Sequence, residues 1–396
     1  MGEFKEELRQ IVRLRRKTGA TAFKCKRMLN AAKKIGIPED VFVKDGYWRV
    51  PENLLLPAWE NRFTREKEVK RIKRINKDNT SGLIEKMIEA QYTVGLTPSH
   101  FRKYMWHNVP QEERDVILLP VHNTQISEKY DNPDFNPEYL NNKAMFYEYF
   151  SDMIGRKWFE FKYDSSEEAF IEAMEDMEAA ELILKPLNAK GGAGIQKVPT
   201  PHSREKSKSL FDDLMDQISA EEDDAYEILV EEAIVQNEVM SLLNSSSVNS
   251  IRIVVLLNDD MEDVLYAACR MGKPGVPADN LGRGGRTAAV DVNNGRIITP
   301  AYGPSSEPFF KTAESGVELM NITLPLWSEV LDLSIRASRR LYELTGKAYA
   351  GWDIAVTDDK PVIIEGNNKP SPELAQRPLW LYKKEGLSYI AERYLK

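Results

Sequence analysis

Cysteine is nearly absent from this chain: 396 residues contain two, Cys25 and Cys269. Two thiols 244 positions apart make no disulfide framework, so a reducing compartment is the expectation. Histidine is scarce as well. His100, His107, His122 and His202 are scattered and have no cysteine neighbours at zinc-binding spacing. No apolar run approaches the ~20 residues that cross a bilayer as a helix. The longer ones, such as Ile251–Leu257 with Arg252 inside it, read as buried strands. The first residues are rich in Glu, Lys and Arg, so a hydrophobic signal segment is not expected and a cytoplasmic location is. Repeat periods and long low-complexity segments are missing too. Together these absences argue against a disulfide scaffold, a zinc-finger protein and a helical membrane protein.

What is present is an ordinary globular composition, 42% hydrophobic and 29% charged, in a chain long enough for two or three subdomains. The net charge of −8 conceals an asymmetry. Residues 1–80 hold 21 Lys+Arg against 11 Asp+Glu, a net of +10, while the remainder holds 33 against 51, a net of −18. Clusters at 13–17 and 67–74 supply most of the excess. Such a patch could make peripheral contact with an anionic membrane surface or an acidic partner. A solvated helix face, or docking on the chain's own acidic body, explains it more simply. Nucleic acid is not an expected partner.

Apolar residues recur at threes and fours over 1–35 and 60–92, which predicts helices. Pro38, Pro51 and Pro57 break the stretch between them. Thr97-Pro98 opens another helix, with Pro98 in its first turn. Residues 116–119 read as a short strand, and 138–154 and 165–180 as helices. From Leu182 the texture turns to short β-rich runs at 182–186, 195–198, 227–235, 250–257, 263–271, 286–290, 296–299, 349–356 and 361–366. Helices near 203–219 and 325–345 interrupt them. The fold class is therefore α+β behind a helical, basic N-terminal region. The expected divisions are 1–96, a mixed lead-in at 97–180, a nucleotide subdomain at 181–240, and a metal- and substrate-binding subdomain at 241–396.

The segment Gly351 to Asn368 reads as strand, tight turn, strand. Glu365 and Asn367, two apart, share a face. A turn around Thr357–Lys360 returns Asp353 beside them. Three hard oxygen ligands then converge at one sheet end, as magnesium requires; an ordinary surface hairpin with incidental acids is the alternative. In 182–198, an apolar strand delivers Lys185 into a loop containing Lys190, Gly191, Gly192 and Gly194. Glycines let backbone N–H groups approach phosphate oxygens and a lysine supplies charge. No Gly-Lys-Ser/Thr follows, so this is not a Walker A loop. The run 227–238 is an apolar strand leading into Glu231 and Glu232, with Glu238 seven residues beyond Glu231. It suits a nucleotide's adenine edge and ribose, or a plain acidic strand end. Arg252, within a core strand, needs an anionic partner, phosphate or carboxylate, and Asn249 could share its site. Asn280, Gly284, Gly285 and Arg286 form a glycine-rich edge, either a substrate-facing loop with oxyanion-binding amides or a flexible turn.

Taken in order, these pieces resemble the ATP-grasp superfamily, and most closely its sugar-transfer-associated branch. The resemblance rests on Lys143 in 140–143, Lys185-Pro186 with the 191–194 glycines, Glu231 through Glu238, and Asn249 through Arg252. It continues with Asp279-Asn280 and Gly284-Gly285, then Gly351-Trp352-Asp353 with Glu365-Gly366-Asn367. It spans about residues 97–380. The Glu231-to-Glu238 step and the Asp353, Glu365, Asn367 set are also similar to D-alanine–D-alanine ligases. Two departures stand out: the branch's Asn-Thr-Ile-Arg is Asn249-Ser-Ile-Arg252 here, and its His-Pro element is replaced by 309–316.

The resemblance implies an ATP-grasp fold, two α+β subdomains gripping ATP, and it implies the roles that follow. Lys143 and Lys185 would contact phosphates, with the loop of Gly191, Gly192 and Gly194 closing over them. Glu231, with Glu232 and nearby backbone, would meet adenine, and Glu238 the ribose. Asp353, Glu365 and Asn367 would hold Mg2+, or Mn2+ in its place. Arg252 and Lys185 would act on the transferring group, and Asn249, Asn280, Gly284, Gly285 and Arg286 would face substrate. The implied activity is ATP-dependent ligation of a carboxylate to an amine through an acyl phosphate, releasing ADP and phosphate. A kinase on the same fold and a non-catalytic nucleotide-binding scaffold are the alternatives. Asp353→Ala, Glu365→Ala or Lys185→Ala is expected to abolish ATP turnover and spare the fold.

Overall fold

The computed structural model describes residues 62–75, 80–187, 194–220, 227–276 and 279–396. The chain divides into two compact units, one up to His122 and one from Asn123. The expectations for 1–35, for the prolines at 38, 51 and 57, and for the basic cluster at 13–17 lie outside the described residues.

In the first unit the helical spacing gives α1 (Arg62–Ile75) and α2 (Leu83–Val94). The buried carboxylate of Glu68 on α1 accepts from Arg71 at 2.6 Å and from Arg102. Helix α3 (Pro98–Lys103) starts where Thr97-Pro98 predicts: Thr97 Oγ1 accepts from the His100 amide at 3.2 Å and Pro98 occupies the first turn. The expected strand at 116–119 is instead a turn and an extended link. Ile117 and Leu118 are buried there without a partner strand, so their apolar character serves packing.

The second unit contains two antiparallel sheets. The first has the order β1-β4-β2-β3, with β1 (Trp158–Phe161), β2 (Glu181–Pro186), β3 (Gln196–Pro199) and β4 (Ile228–Glu232). Helices α4 (Glu138–Asn141) and α5 (Lys143–Tyr149) precede it in the chain. Helices α6 (Glu167–Asp176) and α7 (Arg204–Ala220) cover it. Phe161, Phe170, Leu182, Leu184, Leu214 and Val230 fill the interior between them. Strand β1 has no counterpart in the sequence reading. Four aromatic-rich residues between helices carry too short a pattern to separate from helix ends.

The second sheet has the order β11-β10-β5-β6-β7-β8-β9. Its strands are β5 (Ser250–Leu257), β6 (Glu262–Met271), β7 (Arg286–Val290), β8 (Ala301–Tyr302), β9 (Pro308–Phe309), β10 (Tyr349–Val356) and β11 (Pro361–Asn367). The expected strand at 296–299 is reduced to isolated bridges, Val290 with Ile297 and Arg296 with Thr323. Before β5 comes the short helix α8 (Glu238–Leu243). Helix α9 (Trp327–Thr345) buries Val330, Leu333, Ala337 and Leu341, one stripe at three- and four-residue spacing, against one face of the sheet. Helix α10 (Glu373–Lys383) packs on the other face, over β6, β7 and β8. Central strands covered on both faces must be apolar throughout, and every residue of β5 and β10 is buried.

The β10–β11 hairpin turns where expected, with the Thr357 amide donating to the Lys360 carbonyl at 3.0 Å. Its register contains one irregularity. Asp353 faces Glu365, yet the next residue, Ile354, faces Ile363, so Ile364 is an extra residue in β11. Trp352, Ile354 and Ile363 belong to the core beneath α9, and Asp353 and Glu365 meet on the opposite face.

Candidate active site

The second unit builds two charged clusters, one on each sheet. On the four-stranded sheet, Lys185 of β2 and Glu231 of β4 form an ion pair that leaves Glu231 2% exposed. The other Glu231 oxygen accepts from Arg156 Nε at 2.8 Å and from the Tyr147 hydroxyl. Burial pushes the Glu231 carboxyl up; the Arg156 and Lys185 charges outweigh burial and hold it down at about 2. Lys143 begins α5 after Asn142, whose side chain caps the helix. Its ammonium donates to the carbonyls of Leu187 at 2.7 Å and Pro186 at 3.3 Å, which pins the entrance of the glycine loop. Burial lowers the Lys143 pKa and the charge of Glu365 opposes that, so Lys143 lies in the field of both clusters.

The second cluster sits on the seven-stranded sheet. Arg252 of β5 is paired in register with Asp353 of β10, and both are buried. Arg252 grips the Asp353 carboxylate bidentately, with Nη2 at 2.9 Å from Oδ2, and Arg270 of β6 bonds the same oxygen. Arg270 also reaches Asp279 at 2.9 Å, and Asp279 accepts from the Ser250 amide at 3.2 Å. Burial raises the Asp353 carboxyl, but its two arginines keep it well below the usual carboxylate range. Glu365 is the reverse. Its side chain opens to solvent yet stands amid dense protein, and that burial, followed by the Asp353 charge, pushes its carboxyl up to about 7. It has no ion pair among the described residues. One end of the Asn367 amide is buried without a partner among the described residues.

These donors suit a hard divalent cation. Glu365 lacks a counter-ion, Asp353 keeps one lone pair beyond its arginines, and a half-turn of the Asn367 amide puts an oxygen where the unpartnered nitrogen lies. Among the described residues, no group of three or more His, Cys, Asp or Glu could hold a metal ion. Two carboxylates and an amide are therefore an incomplete shell, which suits an ion that takes further ligands from phosphate and water.

The other predicted residues are placed as follows. Gly191 and Gly192 fall outside the described residues. Gly194 has φ +70°, and a Cβ there would lie 2.8 Å from Pro186. Glu232 turns away from Lys185, accepting from the amides of Lys157 at 2.9 Å and Ala179 at 3.0 Å. Glu238 is exposed in the first turn of α8 and has no hydrogen bond or ion pair among the described residues. Asn249 does not reach Arg252's partners. It is fully buried, and its amide donates to Gln236, Met240 and Asn244 at 2.7–3.0 Å. Asn280 accepts from the Gly282 amide, while the Gly284 and Gly285 amides bond to carbonyls of Leu281 and Asn280. The expected oxyanion-binding amides are thus engaged inside their own loop. Arg286 stacks its guanidinium 3.5 Å above the Phe309 ring and has no hydrogen bond or ion pair among the described residues.

Sequence reasoning missed Arg270, Tyr147 and Arg156. Arg270 carried a usable signal, a lone charge in the apolar run Ala-Ala-Cys-Arg-Met, like that of Arg252. Tyr147 and Arg156 carried none. A cleft of about 530 Å3 in the first unit, lined by residues including Trp106, His107 and Arg114, contains none of the predicted residues.

Comparison with solved structures finds the ATP-grasp ligase PsnB, complexed with minimal precursor, Mg and ADP, at 14% identity and TM-score 0.37; the match covers 67% of this chain and 61% of that one. The D-cycloserine synthetase DcsG matches at 12% identity and TM-score 0.36, over 75% and 82% of the two chains. A D-alanine–D-alanine ligase from Bacillus anthracis matches at 16% and 0.34, over 63% and 64%. The chain thus spans about three-fifths of the length of PsnB. No curated protein matches the sequence significantly. The sequence pattern of the sugar-transfer associated ATP-grasp family matches residues 123–380, which take in both sheets and both charged clusters. On that match, the chain belongs to the sugar-transfer associated ATP-grasp family.

Proposed function

We propose that the chain is an ATP-dependent ligase that joins a carboxylate to an amine through an acyl phosphate. The observation that carries the reading is the contrast at the β10–β11 edge. Asp353 is neutralised by two arginines, while Glu365 has no ion pair and one end of the Asn367 amide is buried without a partner among the described residues. Glu365, Asn367 and Asp353 would hold magnesium, or manganese, which draws negative charge from phosphate oxygens when bound. Lys185 and Lys143 face the phosphates, the glycine loop that Lys143 pins covers them, and Glu238 with the backbone after β4 meets ribose and adenine.

A carboxylate oxygen of the substrate attacks the γ-phosphorus, the bond to the β-phosphate oxygen breaks, and ADP departs. The amine nitrogen then attacks the acyl carbon, phosphate leaves, and the nitrogen loses a proton to water. No protein nucleophile is needed. Arg252, Arg270 and Lys185 offset the repulsion between two anions brought into line. Substrate selection falls to Arg286, whose guanidinium has no anionic partner among the described residues, and to the Asn280–Gly285 loop that precedes it.

The test is ADP release from purified protein with panels of carboxylates and amines, followed by mass spectrometry of the product. An amide formed with ADP and phosphate only when both substrates are present supports the ligase. A stable phosphorylated product without amine replaces it with a kinase, and absence of ATP binding leaves a scaffold.

A further inference from the structure

Arg156 belongs to no motif, yet its guanidinium makes four hydrogen bonds. It follows Gly155, which ends the one-turn helix Ser151–Ile154 at φ +61°. A Cβ on Gly155 would lie 2.5 Å from Val362, so the chain closes onto β11 there and turns the next side chain inward. The Arg156 side chain is 4% exposed. Its Nε donates to Glu231 of β4 at 2.8 Å, and Nη1 donates to the Ile154 carbonyl at 2.8 Å and to the Ile363 carbonyl of β11 at 3.0 Å. Nη2 bonds the Tyr147 hydroxyl, and the guanidinium lies 5.0 Å from the Tyr147 ring centre. One guanidinium therefore ties Glu231, on the four-stranded sheet, to the strand that carries Glu365.

We infer that Arg156, with Tyr147, is a positioning residue of the nucleotide site: it holds Glu231 charged and fixed to the seven-stranded sheet, so that Glu231 presents the Lys185 ammonium to the nucleotide. The inference rests on the ATP reading above. Its physical basis is the geometry of the carboxylate. Tyr147 and Arg156 occupy one oxygen of Glu231, which leaves the other for Lys185 alone. A buried carboxylate without that fork would take up a proton and release Lys185. The charged and titratable groups around Glu231 are Lys185 from β2, Arg156 from the turn before β1, and Tyr147 and Lys143 from α5. Burial raises the Tyr147 phenol well above its ordinary value, so it stays a donor across the working range. Among the described residues, the acids acting on these groups are Glu231 itself and Glu365, which reaches Lys143 through its charge.

The experiment measures the ATP dissociation constant of the full chain by calorimetry between pH 5 and pH 8, for wild type, Arg156→Met, Arg156→Lys and Tyr147→Phe. Taking each variant as a ratio to wild type removes the titration of ATP itself. Arg156→Met should weaken binding by about tenfold at pH 8, the loss of one charge-assisted contact. Its ratio should worsen by up to about tenfold per pH unit below the new Glu231 titration point. Arg156→Lys should restore a flat ratio, because the charge returns, while binding stays weaker than wild type. Tyr147→Phe should give a smaller, few-fold weakening with the same acid trend. If Arg156→Met does not fold, the Lys and Phe variants decide. Flat ratios near one in the folded variants overturn the inference. A wild type that binds no ATP overturns the nucleotide reading instead.

Discussion

At the scale of single residues, three acids in similar surroundings have opposite fates because of what stands beside them. Glu231, held at about 2 by Arg156 and Lys185, binds fewer protons folded than unfolded between about 2 and its ordinary 4.5. Its contribution to stability is complete above that window and lost as pH falls through it. Urea midpoints of wild type and Glu231→Gln should therefore converge toward pH 2 and lie furthest apart above pH 5. Glu365 works in the other direction. Its carboxyl is pushed up to about 7, so the folded state holds the extra proton. The stability tied to that proton is full below 4.5 and lost as pH rises through 7. Glu365→Gln should then melt higher than wild type at pH 8, and at the same temperature as wild type near pH 4, while ATP turnover falls by at least about a hundredfold. Asp353 revises the expectation that its removal spares the fold. Asp353→Ala strands two buried arginines and should cost about 3–5 kcal/mol in urea denaturation besides abolishing turnover. A fold as stable as wild type would mean that the arginines find other partners.

At the scale of elements, most of what can be read from sequence came from long, regular signals. The runs at 250–257, 263–271 and 349–356 match β5, β6 and β10 because strands covered on both faces are mostly apolar over their buried length. Helix α9 was legible from its stripe, and α3 from Thr97-Pro98. Strands β1, β8 and β9 were not legible: four residues or fewer are defined by the neighbour they pair with, and no pattern within them says so. The site divides the same way. Arg252 stood out as a charge inside an apolar strand and Asp353 through the hairpin that returns it beside Glu365, whereas the Asn249 side chain braces the backbone around it. Arg156 was invisible because its role depends on where Gly155 sends the chain. That turn gives its own prediction. Gly155→Ala places a side chain at φ +61° and against Val362. The conformational penalty is about 1–2 kcal/mol and overpacking adds about 1–3 kcal/mol, so the urea midpoint should drop sharply. A midpoint unchanged from wild type would show that β11 can give way.

At the scale of the whole molecule, the proposed site takes charges from both sheets of the second unit, so a ligand that engages both should stabilise that unit as a body. Mg·ATP at about a hundred times its dissociation constant should add about 2.7 kcal/mol to the folded state, read as a rise in melting temperature. The magnesium-dependent part of that rise should vanish in Glu365→Gln; its survival would move the metal elsewhere. The same hairpin carries a message about how such a site can be lost. Ile364 contributes no chemistry and only shifts phase, so that Ile363 can face the core while Glu365, two positions on, faces Asp353. Loss of that one codon would leave Ile363 opposite Ile354 and Glu365 opposite Asp353 in an unbroken ladder, since the two pairs are consecutive along β10. Regular pairing of Ile364 in place of the bulge would instead set Ile363 and Glu365 on one face, so one would surrender its place. The bulge, and not the residue types alone, decides which side of the sheet Glu365 serves.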